Sequence, residues 1–419
     1  MSFTRISCWA LALVVVISSA CSTTHTFKSQ SQSALDQLAS QLQEQTVDWD
    51  ALSASPFASV PLTRNDAEQA AHLLGEAYEK QLRVERQAEM DAQVLKNGEL
   101  TMRFFTKVYG DEPEGGRSLF ISMHGGGNAP ARVNDRQWEN QKGLYEPEEG
   151  VYVAPRAPTD TWNLWHQDHI DWFFERLIQN MVVFHNVNPN RVYLMGYSAG
   201  GDGVYQLAPR MADYFGAAAM MAGHPNETSP LGLRNLPFAL FMGGKDAAYN
   251  RNQVAADWKV KLEDLQSNDP EGYVHWVKIF PDHAHWMQKE DAAGIPWMHQ
   301  HKRRQYPDRV VWKQDDVWHD RFYWLKMAEG VKAERAETVV SLADQTFDVE
   351  KVETPKLTIL LNDDMLDLDQ PIQVVRDEKV IFEGKASRTI QSLLETLLER
   401  GDSSYMFSSV IDLDLTAQE

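Results

Sequence analysis

Met195-Gly196-Tyr197-Ser198-Ala199-Gly200-Gly201 follows the apolar run Arg191-Val192-Tyr193-Leu194 and precedes a helix-compatible segment from Asp202 onward. A G-x-S-x-G pentapeptide between a strand and a helix marks a sharp turn that lifts its serine out of the sheet. The turn strains the serine backbone, so its neighbours must lack bulk where the chain closes on itself. Gly196 and Gly200 meet that need, and Ala199 and Gly201 add little. The pentapeptide occurs by chance, so its meaning depends on what the rest of the chain supplies.

The 419 residues suffice for one large domain with smaller ones beside it. The apolar fraction of 43% and thirteen Trp exclude wholesale disorder. A formal charge of −20 argues against nucleic acid or an anionic membrane face as partner. Met1 to Arg5 carry a positive charge, Ile6 to Ile17 form a short apolar core, and Ser18-Ser19-Ala20-Cys21 supplies small residues before a cysteine. The core is too short to span a bilayer and reads as a signal peptide over 1–21. Ending in Ala-Cys, it resembles a bacterial lipoprotein signal, which implies lipidation of Cys21. The expected location is then the outer membrane, with a periplasmic or secreted protein as the alternative, and the lipid is the expected contact with membrane. Cys8 would leave with the signal, so no cysteine would remain for catalysis, thiolate metal ligation or a disulfide.

Ser22 to Ser33 is mostly polar and reads as a tether. Leu38, Leu42, Ala67, Ala70, Leu73, Leu74, Tyr78 and Leu82 recur at helical spacing, which predicts a helical arm within 22–98. Thr63 followed by Asp66 marks the start of its second helix. From Leu100, apolar strands (Ser118–Met123, Val151–Ala154, Arg191–Met195, Phe215–Ala222, Phe238–Met242, Val274–Phe280) alternate with helical patterns at Ile170–His185, Gly203–Tyr214, Val254–Leu265 and Gln288–Gln305. Continuous apolar strands between amphipathic helices predict an α/β domain over 99–306, its mostly parallel sheet covered on both faces. Short alternating runs beyond Pro307, with one helix at Ile390–Glu399, predict a small β-rich, sandwich-like domain over 307–419. Trp312, Trp318 and Trp324 are read there as core residues before a carbohydrate platform.

A serine hydroxyl attacks well only when a base takes its proton, and the resulting oxyanion needs preorganised donors. An elbow serine calls for an acid and then a histidine downstream, each after a strand. Asp246 follows Phe238–Met242 through Gly243-Gly244-Lys245 and is the acid candidate. Phe280-Pro281-Asp282-His283-Ala284-His285-Trp286 offers two histidines, of which His285, just before an aromatic residue, is favoured over His283. The His-x-His pair also suits a metal, but no third ligand cluster accompanies it, so no metal site is expected. His124-Gly125-Gly126-Gly127, after a strand, suits donation of an oxyanion-hole amide from Gly126 or Gly127, with the Ala199 amide as the other donor. Trp162 and Trp165, with Tyr197 and Trp286 flanking the serine and the histidine, are candidate walls of a substrate pocket.

With these four features in order, residues 100–305 resemble the α/β-hydrolase family, close to its dienelactone hydrolase, prolyl-oligopeptidase and feruloyl/acetyl esterase branches. The resemblance implies Ser198 as nucleophile, Asp246 as orienting acid and His285 as base then acid. It implies covalent cleavage of a carboxylic ester, on a small molecule or a polymer, with no cofactor. Feruloyl- or acetyl-type esters are the sharper expectation. A prolyl-oligopeptidase-like peptidase and a non-catalytic cell-surface binding protein are the rival readings.

Overall fold

The computed structural model describes residues 10–44, 46–328, 330–331 and 333–416, with only the backbone for 10–25. The first part of the expected leader, Cys8 included, and the Cys21 side chain lie outside the described residues. Among the described residues no helix is long and apolar enough to cross a membrane.

The chain forms two compact units. The first draws on residues 10–81, Leu361–Asp369 and Lys385–Val410; the second on Leu82–Leu360, Gln370–Gly384 and residues 411–416. A helix from the tail falls in the first unit with the N-terminal helices, and residues 82–98 fall in the second.

In the first unit, helix α1 (Ala10–Gln41) runs through the stretch expected as a tether. No Gly or Pro interrupts it, so nothing in its backbone stops the helix. Its buried Ser31 donates to Asp66 and accepts from the Thr63 amide (2.9 Å). Thr63 in turn caps α2 (Arg64–Glu85), its hydroxyl accepting from the Asp66 amide at 3.2 Å.

The second unit carries an eight-stranded sheet: β1 (Val94–Asn97), β2 (Leu100–Tyr109), β3 (Arg117–Met123), β4 (Gly150–Arg156), β5 (Val187–Tyr197), β6 (Ala217–Met221), β7 (Phe238–Gly243) and β8 (His275–Phe280). The strand order is β1-β2-β4-β3-β5-β6-β7-β8. From β4 to β8 every pairing is parallel, while β1 and β2 add antiparallel pairings at one edge. This is the α/β-hydrolase arrangement. Its helices are α3 (Ala131–Lys142), α4 (His169–His185), α5 (Ala199–Arg210) and α6 (Arg251–Asn268). β4, β6 and β7 are buried at every residue, as strands covered on both faces must be. The helix expected over Gln288–Gln305 shrinks to a short turn at Gly294–Met298. Gln288 and Lys289 take left-handed backbone angles (φ 55° and 67°), and Pro296 removes a helical donor.

Two smaller sheets follow. One has five strands: β9 (Arg309–Lys313) at its edge, then β12 (Glu337–Ala343), β13 (Thr346–Val352), β15 (Ile372–Arg376) and β16 (Lys379–Gly384). The other joins β10 (Arg321–Phe322), β11 (Leu325–Lys326), β14 (Lys356–Leu361) and β17 (Ser409–Asp414). Trp312 stacks on Phe322 and Trp324 packs against Phe347, both tryptophans buried, whereas Trp318 is partly exposed. Helix α7 (Ile390–Arg400) completes the first unit, where the buried Arg388 before it forks onto Asp363 (2.6 and 2.7 Å) and reaches Asp369 (2.8 Å).

Candidate active site

β5 delivers the serine. Ser198 holds φ 58° and ψ −122°, a conformation that costs energy for any residue with a side chain. The turn closes so tightly that a Cβ on Gly196 would run into the Gly200 carbonyl, which is why the pentapeptide begins with glycine. The Ser198 amide donates to the Met221 carbonyl (2.9 Å), pinning the strained residue to the end of β6. Directly after it, α5 begins at Ala199.

The candidate acid and the candidate base arrive on two loops fastened to one another. A Cβ on Gly243 would strike the Ala284 carbonyl, so only glycine lets the base loop close over the end of β7. The Gly244 amide donates to the Phe280 carbonyl (2.7 Å) and the Lys245 amide to that of His283 (2.9 Å). These ties bring buried Asp246 to His285, whose Nδ1–H donates to Oδ2 at 2.6 Å. His285 Nε2 accepts from the Ser198 hydroxyl at 3.0 Å. A carboxylate at Nδ1 keeps the proton on that nitrogen and leaves Nε2 as the acceptor facing serine. His283 points elsewhere, its Nε2 paired with Glu290 at 2.8 Å.

The glycine-rich loop leaves β3 beside the elbow, because the strand register aligns Met123 with Gly196. His124 is fully buried. Its Nδ1–H donates to the Gly125 carbonyl (2.6 Å) and its Nε2 accepts from the Ala157 amide (3.1 Å). Burial pushes its pKa down to about 4, with the Gly125 bond opposing, so the ring is neutral at neutral pH and serves as a buckle. The amides proposed from sequence are not equivalent. Gly127 already donates to Asn134 Oδ1 at 2.9 Å, so its amide is committed within the loop. Asn134 is buried and also donates to Ala129 and Asp160, which fixes that side of the loop. Gly126 and Ala199 remain the donors that line the cleft beside Ser198.

The four aromatics proposed as pocket walls separate. Trp162 is 60% exposed and lines the cleft. Trp286 is half exposed, its ring 5.6 Å from that of Tyr197. Trp165 is no wall: it is fully buried, packs edge-on to His124 and donates its indole N–H to the His124 carbonyl (2.9 Å). Tyr197 is likewise buried. Its hydroxyl donates to the His285 carbonyl (2.6 Å) and accepts from the Met287 amide (3.0 Å), tying the base loop to the strand that ends at the serine.

The cleft, about 540 Å³ in volume, is lined by Gly126, Trp162, Ala199, Asp202, Tyr249 and Arg251 among others. Sequence reasoning missed Asp202, Tyr249 and Arg251; the closeness of Tyr249 and Arg251 to Asp246 in the chain was the one available signal. Asp202 Oδ1 accepts from the His224 amide at 2.6 Å. Burial raises the Asp202 pKa to about 6, opposed by that hydrogen bond and by Arg251. A separate cavity of about 380 Å³ is lined by Tyr145, Glu146, Glu149 and His299 among others; neither lining includes Ser198, Asp246 or His285, and the first cleft adjoins the serine through Ala199. Among the described residues, Glu227, Asp315 and Asp316 bring ligand atoms within 4.8 Å of one another, a spacing that suits a metal ion.

No protein-family model matches the chain. A 139-residue stretch, 32% of this chain, is 29% identical to a bifunctional acetylxylan esterase/xylanase of Neocallimastix patriciarum. The match spans about a fifth (20%) of that relative's length. Among solved structures, a thermostable esterase overlaps 50% of this chain and 62% of its own at 18% identity, with a TM-score of 0.37. A ferulic acid esterase overlaps 49% of this chain and 96% of its own at 14% identity, with a TM-score of 0.36.

Proposed function

We propose that this protein is a serine hydrolase that cleaves a carboxylic ester through a covalent acyl-enzyme. The observation that carries the reading is the relay from Ser198 through His285 to Asp246, with hydrogen bonds of 3.0 and 2.6 Å beside an open cleft. Ser198 Oγ attacks the ester carbonyl while His285 Nε2 takes its proton. Asp246 stabilises the charged imidazole without taking the proton. The Ala199 and Gly126 amides receive the oxyanion, a donor pair in which each member is worth about 3–4 kcal/mol of transition-state stabilisation. His285 then protonates the leaving alcohol, and a water activated by the same nitrogen hydrolyses the acyl-enzyme.

The limited similarity to an acetylxylan esterase/xylanase supports an acetyl- or feruloyl-type ester, small or polymer-linked, as the finer form of the proposal. Turnover of p-nitrophenyl acetate by the purified protein, abolished in Ser198→Ala, is the expected result. Turnover of aminoacyl-p-nitroanilides but of no ester would replace the esterase reading with a peptidase. The leader supports a further proposal, that Cys21 is lipidated. Incorporation of labelled palmitate should be lost in Cys21→Ser, and incorporation that persists would refute it.

A further inference from the structure

We propose that the cleft beside Ser198 accepts an ester carrying an anionic group, a carboxylate or its equivalent, with Arg251 as the specificity-determining cation. The proposal rests on the hydrolase reading and adds the class of substrate.

Arg251 lines the cleft together with Ala199, the residue after the proposed nucleophile. Its Nε is buried without a hydrogen-bond partner, and among the described residues no ion pair involves it. Two buried arginines carry their own acid: Arg210 forks onto Asp171 and Arg234 onto Asp269. A guanidinium left unpaired at a partly desolvated surface keeps its fork of donors for a planar anion.

The backbone holds that cation in place. Only four residues separate Arg251 from Asp246, and two of them, Tyr249 and Asn250, adopt left-handed angles (φ 54° and 60°). Such a pair of non-glycine residues is costly and persists only where its surroundings impose it. The Asn252 amide donates to the Asp246 carbonyl (3.1 Å) and the Asn252 side chain to that of Gly244 (2.9 Å), locking the loop at both ends. The Tyr249 ring, 78% exposed, lies 4.8 Å from the Arg251 guanidinium carbon, so the ring flanks the fork rather than blocking it.

One acid, Asp202, shares the lining and interacts with the cation electrostatically, although among the described residues the two do not close to an ion pair. His224, whose pKa burial lowers, accepts at Nδ1 from the Asn226 amide (2.9 Å) and is neutral. The Asp202 carboxylate is turned to the His224 amide. Arg251 thus meets the Tyr249 ring and the field of Asp202 but, among the described residues, no carboxylate at ion-pair distance.

The test compares matched esters on wild-type protein and Arg251→Gln. One pair places the charge on the acyl side, mono-p-nitrophenyl glutarate against p-nitrophenyl butyrate. The other places it on the leaving group, 4-acetoxybenzoate against phenyl acetate. In wild type the charged member of one pair should have the higher kcat/KM, and that pair identifies the side bound by the cation. Within that pair, the ratio of charged to neutral kcat/KM should fall at least about tenfold in Arg251→Gln and recover in part in Arg251→Lys. A ratio within each variant cancels any loss of folded protein. Neutral esters favoured in both pairs, or a ratio unmoved by Arg251→Gln, would overturn the proposal while leaving the hydrolase reading intact. Failure to turn over any ester would instead remove the reading on which it rests.

Discussion

The two sides of Ser198 are built differently. On the triad side, main-chain hydrogen bonds zip the loop of Asp246 to the loop of His285, and the Tyr197 hydroxyl ties the second loop to β5. On the cleft side, Trp162, Tyr249 and Arg251 stand on loops and a helix start, the two rings largely exposed and the cation without an ion pair among the described residues. The contrast separates chemistry from recognition. Backbone bonds hold the reacting atoms in a geometry that most side-chain changes nearby would leave alone, while the cleft wall consists of side chains whose exchange would alter what binds.

The sharpest way to break the comparison is to exchange the two histidines of one loop. His285→Ala should lower kcat/KM by about four orders of magnitude, whereas His283→Ala, which removes the pair with Glu290 and an edge contact with Phe280, should leave it near wild type. The reverse result in steady-state kinetics would exchange their roles.

Asp202 probes the cleft side through stability. Its folded pKa of about 6 lies above the ordinary value of 3.8, so the folded chain binds more protons than the unfolded one between those values. Stability from this group is therefore complete below about pH 4 and is lost as pH rises to about 6. Above that, the buried charge costs at most about 3 kcal/mol. Asp202→Asn, which can keep the bond to the His224 amide, should raise Tm at pH 7–8 and change it little at pH 4. Equal effects at both pH values would argue that the carboxylate charge is not the cause.

Tyr197 carries the smallest expected effect. Tyr197→Phe removes both of its hydroxyl bonds and should lower kcat about tenfold with KM little changed, as expected for a residue that positions His285. A change confined to KM would return Tyr197 to the pocket wall.

The contrast also sorts what could be read from the chain. The strands before Ser198 and Asp246 announced themselves as continuous apolar runs, whereas the one before His285, an edge strand with His275 and Lys278 in it, is buried only at Phe280. Helix α3 did not, because its inward face carries Asn134 and Gln141 beside Trp138, and buried polar residues erase the apolar period. Tyr197 looked like a pocket residue because its neighbour is the serine, yet strand alternation turns its ring inward. Trp165 was misread for a similar reason, since an aromatic loop gives no sign of which ring packs and which faces solvent. Arg251 left no mark in the pattern at all: an unpaired cation is defined by partners it lacks, and those depend on tertiary contacts.

The central claim, that Ser198 is an activated nucleophile, has a direct test in intact-mass and peptide mapping after reaction with a fluorophosphonate. The account predicts a single stoichiometric adduct on the peptide containing Ser198, absent in Ser198→Ala and much slower to form in His285→Ala. A folded wild-type protein that forms no adduct, or one modified at another serine, would contradict it.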